Sequence, residues 1–189
     1  MKSTMITIVF AHPWHGSFNH AILQAITAKL DNEELDYQII DLSHDGFNPS
    51  MTTDDLRLYS RGQTNDPVTK KYKKILQHTN EIIFIFPIWW GMLPANLKGF
   101  FDKVLLKGGA FDYDPYGNML PGLKITRTLI ITTSQGDSDI YRPYIEGYLI
   151  PYLLNSVGMT GTEWHNCERS SHGPEENRTD FLRRVVDLV

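Results

Sequence analysis

One cysteine, Cys167, stands in 189 residues, so no intrachain disulfide can form, and that usage matches a reducing, cytoplasmic setting. No apolar run reaches the roughly 20 residues needed to span a bilayer, so no membrane insertion is expected. The opening MKSTMITIVFAHP reads as a strand entering a polar loop rather than as a signal peptide. Basic charge is in slight deficit, with 18 Lys and Arg against 22 Asp and Glu, a net charge of −4. No basic stripe forms, which argues against a nucleic-acid partner, and the lysines from Lys70 to Lys74 read as a solvated helical face. The G-x-G-x-x-G turn, the G-x-x-x-x-G-K-S/T loop and the G-x-S-x-G elbow are all absent, leaving triphosphate hydrolysis and serine-hydrolase chemistry without an anchor. His12 with His15, and His165 with Cys167, have zinc-like spacing, but neither pair has further ligands in its segment, so no metal is expected. Cys167 falls late in an apparent strand and reads as a buried, inert thiol.

What is present suits one soluble domain over 1–189, with 41% apolar and 21% charged residues. Its organising stretch is EIIFIFPIWWGMLPANLKGFFDKVL, Glu81 to Leu105. Ile82 to Phe86 is an unbroken β-branched and aromatic run, as expected of a strand covered on both faces. The strand stops at Pro87. Pro94 opens a helix at its first position, with Leu97, Phe100, Phe101, Val104 and Leu105 on one face. The intervening Trp89 and Trp90, beside Gly91, either pack inward or meet a planar partner.

Further strands are predicted over Met5 to Ala11, Tyr37 to Leu42, Thr126 to Thr133 and Met159 to Cys167. Helices are predicted over Phe18 to Leu30, Thr53 to Tyr59, Pro67 to Gln77, Asp139 to Val157 and from Pro174 onward. Lys107 to Leu123 reads as a long loop. Five strands alternating with helices describe an α/β doubly wound parallel sheet, whose ligands sit beyond the carboxyl ends of the strands where strand order reverses. That rule selects loops 12–17, 87–93 and 133–138.

The first loop runs into a helix start, so Gly16, Ser17, Phe18 and Asn19 offer N–H groups to a phosphate, although Ser17 serves equally as a plain N-cap. Thr132, Thr133, Ser134, Gln135 and Gly136 form a small polar nest suited to the polar edge of a heterocycle, or simply a strand-to-helix turn. Together with two indoles, the set fits a ligand that is flat at one end and phosphorylated at the other.

AHPWHGSFNHA (11–21), DL (41–42), FNP (47–49), FPIWWGMLPANLKGFFDKV (86–104), GGAFDY (108–113) and ITTSQG (131–136), followed by Tyr141, resemble the NAD(P)H:quinone oxidoreductase family. These are two-electron flavin reductases of the flavodoxin-like superfamily. The matches cover most of the chain up to Tyr141 and are most specific over 86–104, while the remainder matches weakly. The resemblance implies a flavodoxin-like doubly wound five-stranded parallel sheet with helices on both faces. It implies that His12, Gly16, Ser17, Phe18 and Asn19 hold the flavin's phosphate end and that Pro87, Ile88, Trp89, Trp90 and Gly91 flank its ring. Thr132 to Gly136 would contact the polar edge, and Ala110, Phe111 and Asp112 would line the substrate side, across a homodimer interface. Tyr141 matches a catalytic tyrosine that assists the reduced flavin together with a histidine six residues on, a position held here by Gly147 beside Glu146. NAD(P)H would deliver a hydride by way of the flavin to a quinone or similar acceptor, with ping-pong kinetics. The polar excursion from Phe47 to Pro67, with Asn19, favours FAD over the alternative FMN. Other roles within the resemblance are a flavodoxin-type electron carrier, a flavin-binding ancillary subunit of a potassium-efflux transporter, and an azoreductase or nitroreductase.

Overall fold

The structure, a computed structural model, describes residues 4–189, so Met1 to Ser3 of the opening strand segment lie outside the described residues. In chain order the elements are β1 (Ile6–Phe10), α1 (Phe18–Asn32), β2 (Tyr37–Asp41), α2 (Thr53–Tyr59), α3 (Pro67–His78), β3 (Glu81–Pro87), α4 (Ala95–Val104), β4 (Phe111–Tyr113), β5 (Met119–Pro121), β6 (Arg127–Thr133) and α5 (Ser138–Tyr144). α5 continues as a π-helical run (Ile145–Leu154) and a 3-10 turn (Asn155–Val157), followed by β7 (Thr162–Cys167) and α6 (Glu175–Val186).

Five strands pair in parallel in the order β2-β1-β3-β6-β7, the doubly wound sheet expected from the alternating pattern. β3, at the centre, is buried from Ile82 through Pro87, so its apolar run fills both faces in turn. Ile82, Phe84 and Phe86 enter one core, with Leu97, Phe100 and Val104 of α4. Ile83 and Ile85 enter the other, with Ile22, Ile26 and Leu30 of α1 and Phe181 and Val185 of α6. The two cores thus place helices on both faces, and each fully buried Ile or Phe contributes about 1.5–3 kcal/mol. From β1 the chain turns to β2 on one side and then crosses to β3 on the other, so the switch point lies between β1 and β3.

Three local expectations differ. Pro94 is the N-cap of α4 rather than its first residue, with φ −57 and ψ 146 leading into Ala95. The stretch read as a loop over 107–123 contains an antiparallel pair, Phe111 opposite Pro121 and Tyr113 opposite Met119, short enough to show no alternating pattern. The helix expected over Asp139 to Val157 is helical throughout, but it widens to π geometry over Ile145–Leu154, just after Pro143 and around Pro151. Each proline lacks an N–H and crowds the carbonyl four residues back, so the regular ladder cannot pass it unchanged. Gly158, with φ 90, ends that run.

The excursion after β2 is held from beneath. Lys103 of α4, 3% exposed, donates to the Asn48 carbonyl at 2.9 Å and pairs with Asp55 at 3.2 Å and Asp66 at 3.4 Å. Asp55 also closes a capping box with Thr52, and Asp66 caps α3 through the N–H of Val68 and Thr69. Burial alone would raise both carboxyls. The bonds from Thr52 and Lys103 outweigh it at Asp55, those from Thr69, Val68 and Lys103 outweigh it at Asp66, and both stay below the ordinary carboxylate range. Among the described residues, no helix is long and apolar enough to cross a membrane.

Candidate functional site

The loops after β1, β3 and β6 leave the sheet from neighbouring strands at its carboxyl end. Ala11 extends the pairing by donating to the Ile85 carbonyl, and His12 follows. His12 Nδ1 accepts from the Trp14 N–H at 3.1 Å, which puts the imidazole proton on Nε2. Burial, the largest effect, lowers the His12 pKa and keeps the ring neutral at pH 7 with Nε2–H as a donor. The His12 ring stands edge-on to Trp89, centroids 5.8 Å apart.

Ser17 caps α1, its hydroxyl accepting from the His20 N–H at 3.1 Å. Among the described residues no protein acceptor meets the N–H groups of His15, Gly16, Phe18 or Asn19, so four donors are left unpaired at and just before the positive end of α1. Gly16 permits a close approach within the loop itself. Trp14 folds its own ring over it, and a Cβ there would lie 2.4 Å from the indole. Asn19 turns its side chain inward and donates to the Thr133 hydroxyl at 2.8 Å, leaving its backbone N–H to the loop.

The loop after β3 is a two-residue reversal. Trp89 and Met92 exchange both backbone hydrogen bonds, at 3.1 and 3.0 Å, around Trp90 with φ 52 and Gly91 with φ 76. Two left-handed residues in succession define a type I′ turn, which an Asn-Gly pair would fill without strain. Trp in the first position costs about 1–2 kcal/mol, and here its side chain is fully exposed. Among the described residues no hydrogen bond or ring contact involves the Trp90 side chain. Pro87 and Ile88 are buried, so of the predicted ring-flanking set only Trp89, Trp90 and Gly91 present themselves to solvent.

In the loop after β6 the hydroxyls are already engaged. Thr132 donates to Asn166 at 2.9 Å and accepts from the Trp164 indole at 2.8 Å, and Thr133 accepts from Asn19. Ser134 donates to the Gly136 carbonyl at 2.7 Å. What faces outward is backbone, since the N–H groups of Gln135 and Gly136 have no acceptor among the described residues. The Tyr141 hydroxyl lies over Gly136, where a Cβ would come within 2.5 Å of it, and it too has no protein partner among the described residues. At Gly147 nothing lies within 4 Å of a Cβ, and Glu146 is bound by Arg142 at 2.5 Å.

Ala110 is not brought to this cluster within one chain. It is buried beside Lys73, Leu76, Gln77 and Leu123, at the end of α3 from which β3 starts, a strand length of about 20 Å from the three loops. Phe111 and Asp112 follow it onto β4. In sequence His15 pairs only with His12, and Trp14, Asp41 and His44 carry no role of their own, yet the fold brings His15, Asp41 and His44 together at the carboxyl ends of β1 and β2. An aromatic and a histidine inside an otherwise small, polar loop were the only signal, and Asp41 and His44 are too far along the chain to register with them.

A family model described as the flavodoxin-like fold matches residues 4–188. The chain is 30% identical over 165 residues to an uncharacterized NAD(P)H oxidoreductase, YcaK, of Escherichia coli K12, covering 86% of this chain and 81% of that one. It is 28% identical over 151 residues to rat NAD(P)H dehydrogenase (quinone) 1, covering 71% of this chain but 54% of that longer protein. The solved NAD(P)H:quinone oxidoreductase from Methanothermobacter marburgensis superposes with a TM-score of 0.86 at 22% identity, over 98% of this chain and 96% of that one. Strand order, switch point and sequence likeness agree, and the chain belongs to the family with the flavodoxin-like fold.

Proposed function

We propose that this chain is a flavin-dependent NAD(P)H oxidoreductase that passes electron pairs to a quinone or similar acceptor. The observation that carries the reading is Trp90, held fully exposed in a left-handed conformation in the same loop whose Trp89 ring stands edge-on to His12, which opens the loop leading to the α1 cap at Ser17. An aromatic platform and an anion cradle at one switch point fit a flat, phosphorylated ligand better than a metal or an open substrate. The names of the E. coli and rat relatives support the same class.

The phosphate end would be held by the N–H groups of Gly16, Phe18 and Asn19, by the Ser17 hydroxyl and by His12 Nε2–H. Trp89, Trp90 and Gly91 would flank the ring. The N–H groups of Gln135 and Gly136 would stabilise negative charge at the polar edge, with the Tyr141 hydroxyl as a further donor. Bound flavin supplies the two-electron chemistry, and the chain supplies binding, orientation and that polarisation. The excursion from Phe47 to Pro67 begins beside the first loop and supplies wall for an adenosine, which favours FAD over FMN. With Ala110 at the far end of the sheet, Ala110, Phe111 and Asp112 would line a substrate site only from a second copy, so the working form is a homodimer, located in the cytoplasm. Donor and acceptor would take turns at one open face.

The test is to purify the chain, record its visible spectrum and identify the released cofactor by mass, then follow NAD(P)H oxidation with a quinone. A yellow protein carrying FAD and parallel double-reciprocal lines are expected. A chain that stays colourless after incubation with FAD and with FMN overturns the reading, and intersecting lines overturn the alternating order.

A further inference from the structure

Outside the proposed flavin contacts, three side chains from two separate stretches converge. His15 comes from the loop after β1, Asp41 is the last residue of β2, and His44 follows three residues later. His44 Nδ1 lies 3.1 Å from Asp41 Oδ2, and His15 Nε2 lies 3.4 Å from the same oxygen. The two imidazoles face each other with centroids 4.1 Å apart, and the three donor atoms lie within 4.8 Å of one another. Asp41 Oδ1 accepts from the N–H groups of Ser43 and His44 and lies as close to His44 Nδ1, at 3.1 Å, as Oδ2 does, while Oδ2 is the oxygen that reaches both rings. His20 stacks against His15, centroids 4.7 Å apart. The neighbouring Asp45 is engaged elsewhere, by the Tyr72 hydroxyl and Lys71.

We propose that His15, Asp41 and His44 form a binding site for a divalent transition metal of the zinc class. Around a tetrahedral zinc with bonds of about 2.0–2.1 Å, ligand atoms sit about 3.3 Å apart, close to both measured separations. The His15 to Asp41 distance is long for a hydrogen bond yet fits that polyhedron edge. Two nitrogens and one carboxylate oxygen suit zinc, cobalt or nickel rather than magnesium or calcium. The Asp41 oxygen accepting two backbone N–H bonds is the kind of outer support that orients a metal ligand. A fourth position stays open to water. The bound ion would clasp the loop after β1 to the end of β2, across 26 residues of chain. Sequence spacing could not show this, because the third ligand comes from a neighbouring strand.

The test uses the full-length chain free of any histidine tag and stripped with a chelator. Zinc is titrated by calorimetry at pH 7.5, cobalt by visible absorption, and melting temperature is followed with and without zinc. Expected are about one zinc per chain, a cobalt band in the range of four- or five-coordinate sites, and a higher melting temperature with zinc. His15→Ala and His44→Ala should each weaken binding at least tenfold, while His78→Ala, remote at the end of α3, should change nothing. Affinity should fall at least tenfold between pH 7.5 and 5.5, since histidine binds metal only when neutral. Both ligand histidines are about half exposed, so their variants fold. Absence of binding, or binding that survives both histidine substitutions, overturns the site.

Discussion

The Asn19 amide donates to the Thr133 hydroxyl at 2.8 Å, although 114 residues separate the two. That bond ties the first turn of α1 to the last residue of β6, so the cradle and the nest are held at a fixed separation. Both groups are buried, and removing one strands the other, at a cost of about 1–3 kcal/mol. Asn19→Ala should lower stability by that amount in urea unfolding and weaken flavin retention. Unchanged values for both would show the bond to be idle.

Trp90 separates the needs of the fold from those of the ligand. Trp90→Asn keeps the turn and relieves the left-handed strain, so the apo chain should gain about 1 kcal/mol, or about 2–4 °C in melting temperature. Flavin affinity should drop over the same substitution. A variant that melts lower would mean that the indole is part of the packing after all.

Tyr141→Phe removes a hydroxyl that has no protein partner among the described residues. Stability should stay within about 0.5 kcal/mol. If the hydroxyl assists turnover, kcat should fall severalfold with little change in flavin affinity, as stopped-flow and steady-state rates would show. Equal kcat would confine Tyr141 to shielding Gly136.

The Lys103 clamp makes a pH prediction. Asp55 and Asp66 titrate lower in the folded chain than the usual carboxylate value of about 3.9, so the unfolded chain binds more protons between the two values. Their contribution to stability is full above about pH 4 and is lost as pH falls through the depressed folded values. Asp66→Asn should therefore destabilise the chain at pH 7, and its deficit against the parent should shrink toward pH 3 in urea titrations. Lys103→Ala, which leaves two partly buried carboxylates facing each other, should cost about 3–5 kcal/mol at pH 7.

Burial pushes the Cys167 thiol up to about 11, so it is protonated at neutral pH. Iodoacetamide should label it only at the rate of unfolding, as mass spectrometry over time would record. Prompt labelling of the native chain would contradict its 2% exposure.

The sheet was legible because β3 carries an unbroken apolar run from Ile82 to Phe86 and β6 a β-branched and apolar one from Thr128 to Thr133. Helix starts were legible where a capping side chain precedes them, as at Ser17, Thr52 and Asp66, and shifted by one where proline does the work at Pro94. The short β4 and β5 pair escaped, since three residues carry no period, and the widening after Tyr144 escaped because composition does not distinguish a π turn from an α turn. At the candidate site, residue types pointed to three loops that the fold brings to one end of the sheet, but not to which atoms are free. Thr132, Thr133 and Ser134 look like ligand hydroxyls in sequence, whereas Asn19, Trp164 and Asn166 already occupy them. Such pairings join residues more than 30 positions apart, which no local pattern encodes.

Gly99 and Gly62 bear on how this protein can be rebuilt. A methyl on Gly99 would fall 2.3 Å from the Pro49 carbonyl oxygen, and one on Gly62, at φ +65, would fall 2.0 Å from the Lys107 carbonyl oxygen. With Lys103 beneath the same segment, the excursion is keyed into α4 and the chain just beyond it. A graft that exchanges residues 48–66 for those of a relative must therefore carry the matching positions 99, 103 and 107 with it, or the borrowed segment will have nowhere to seat.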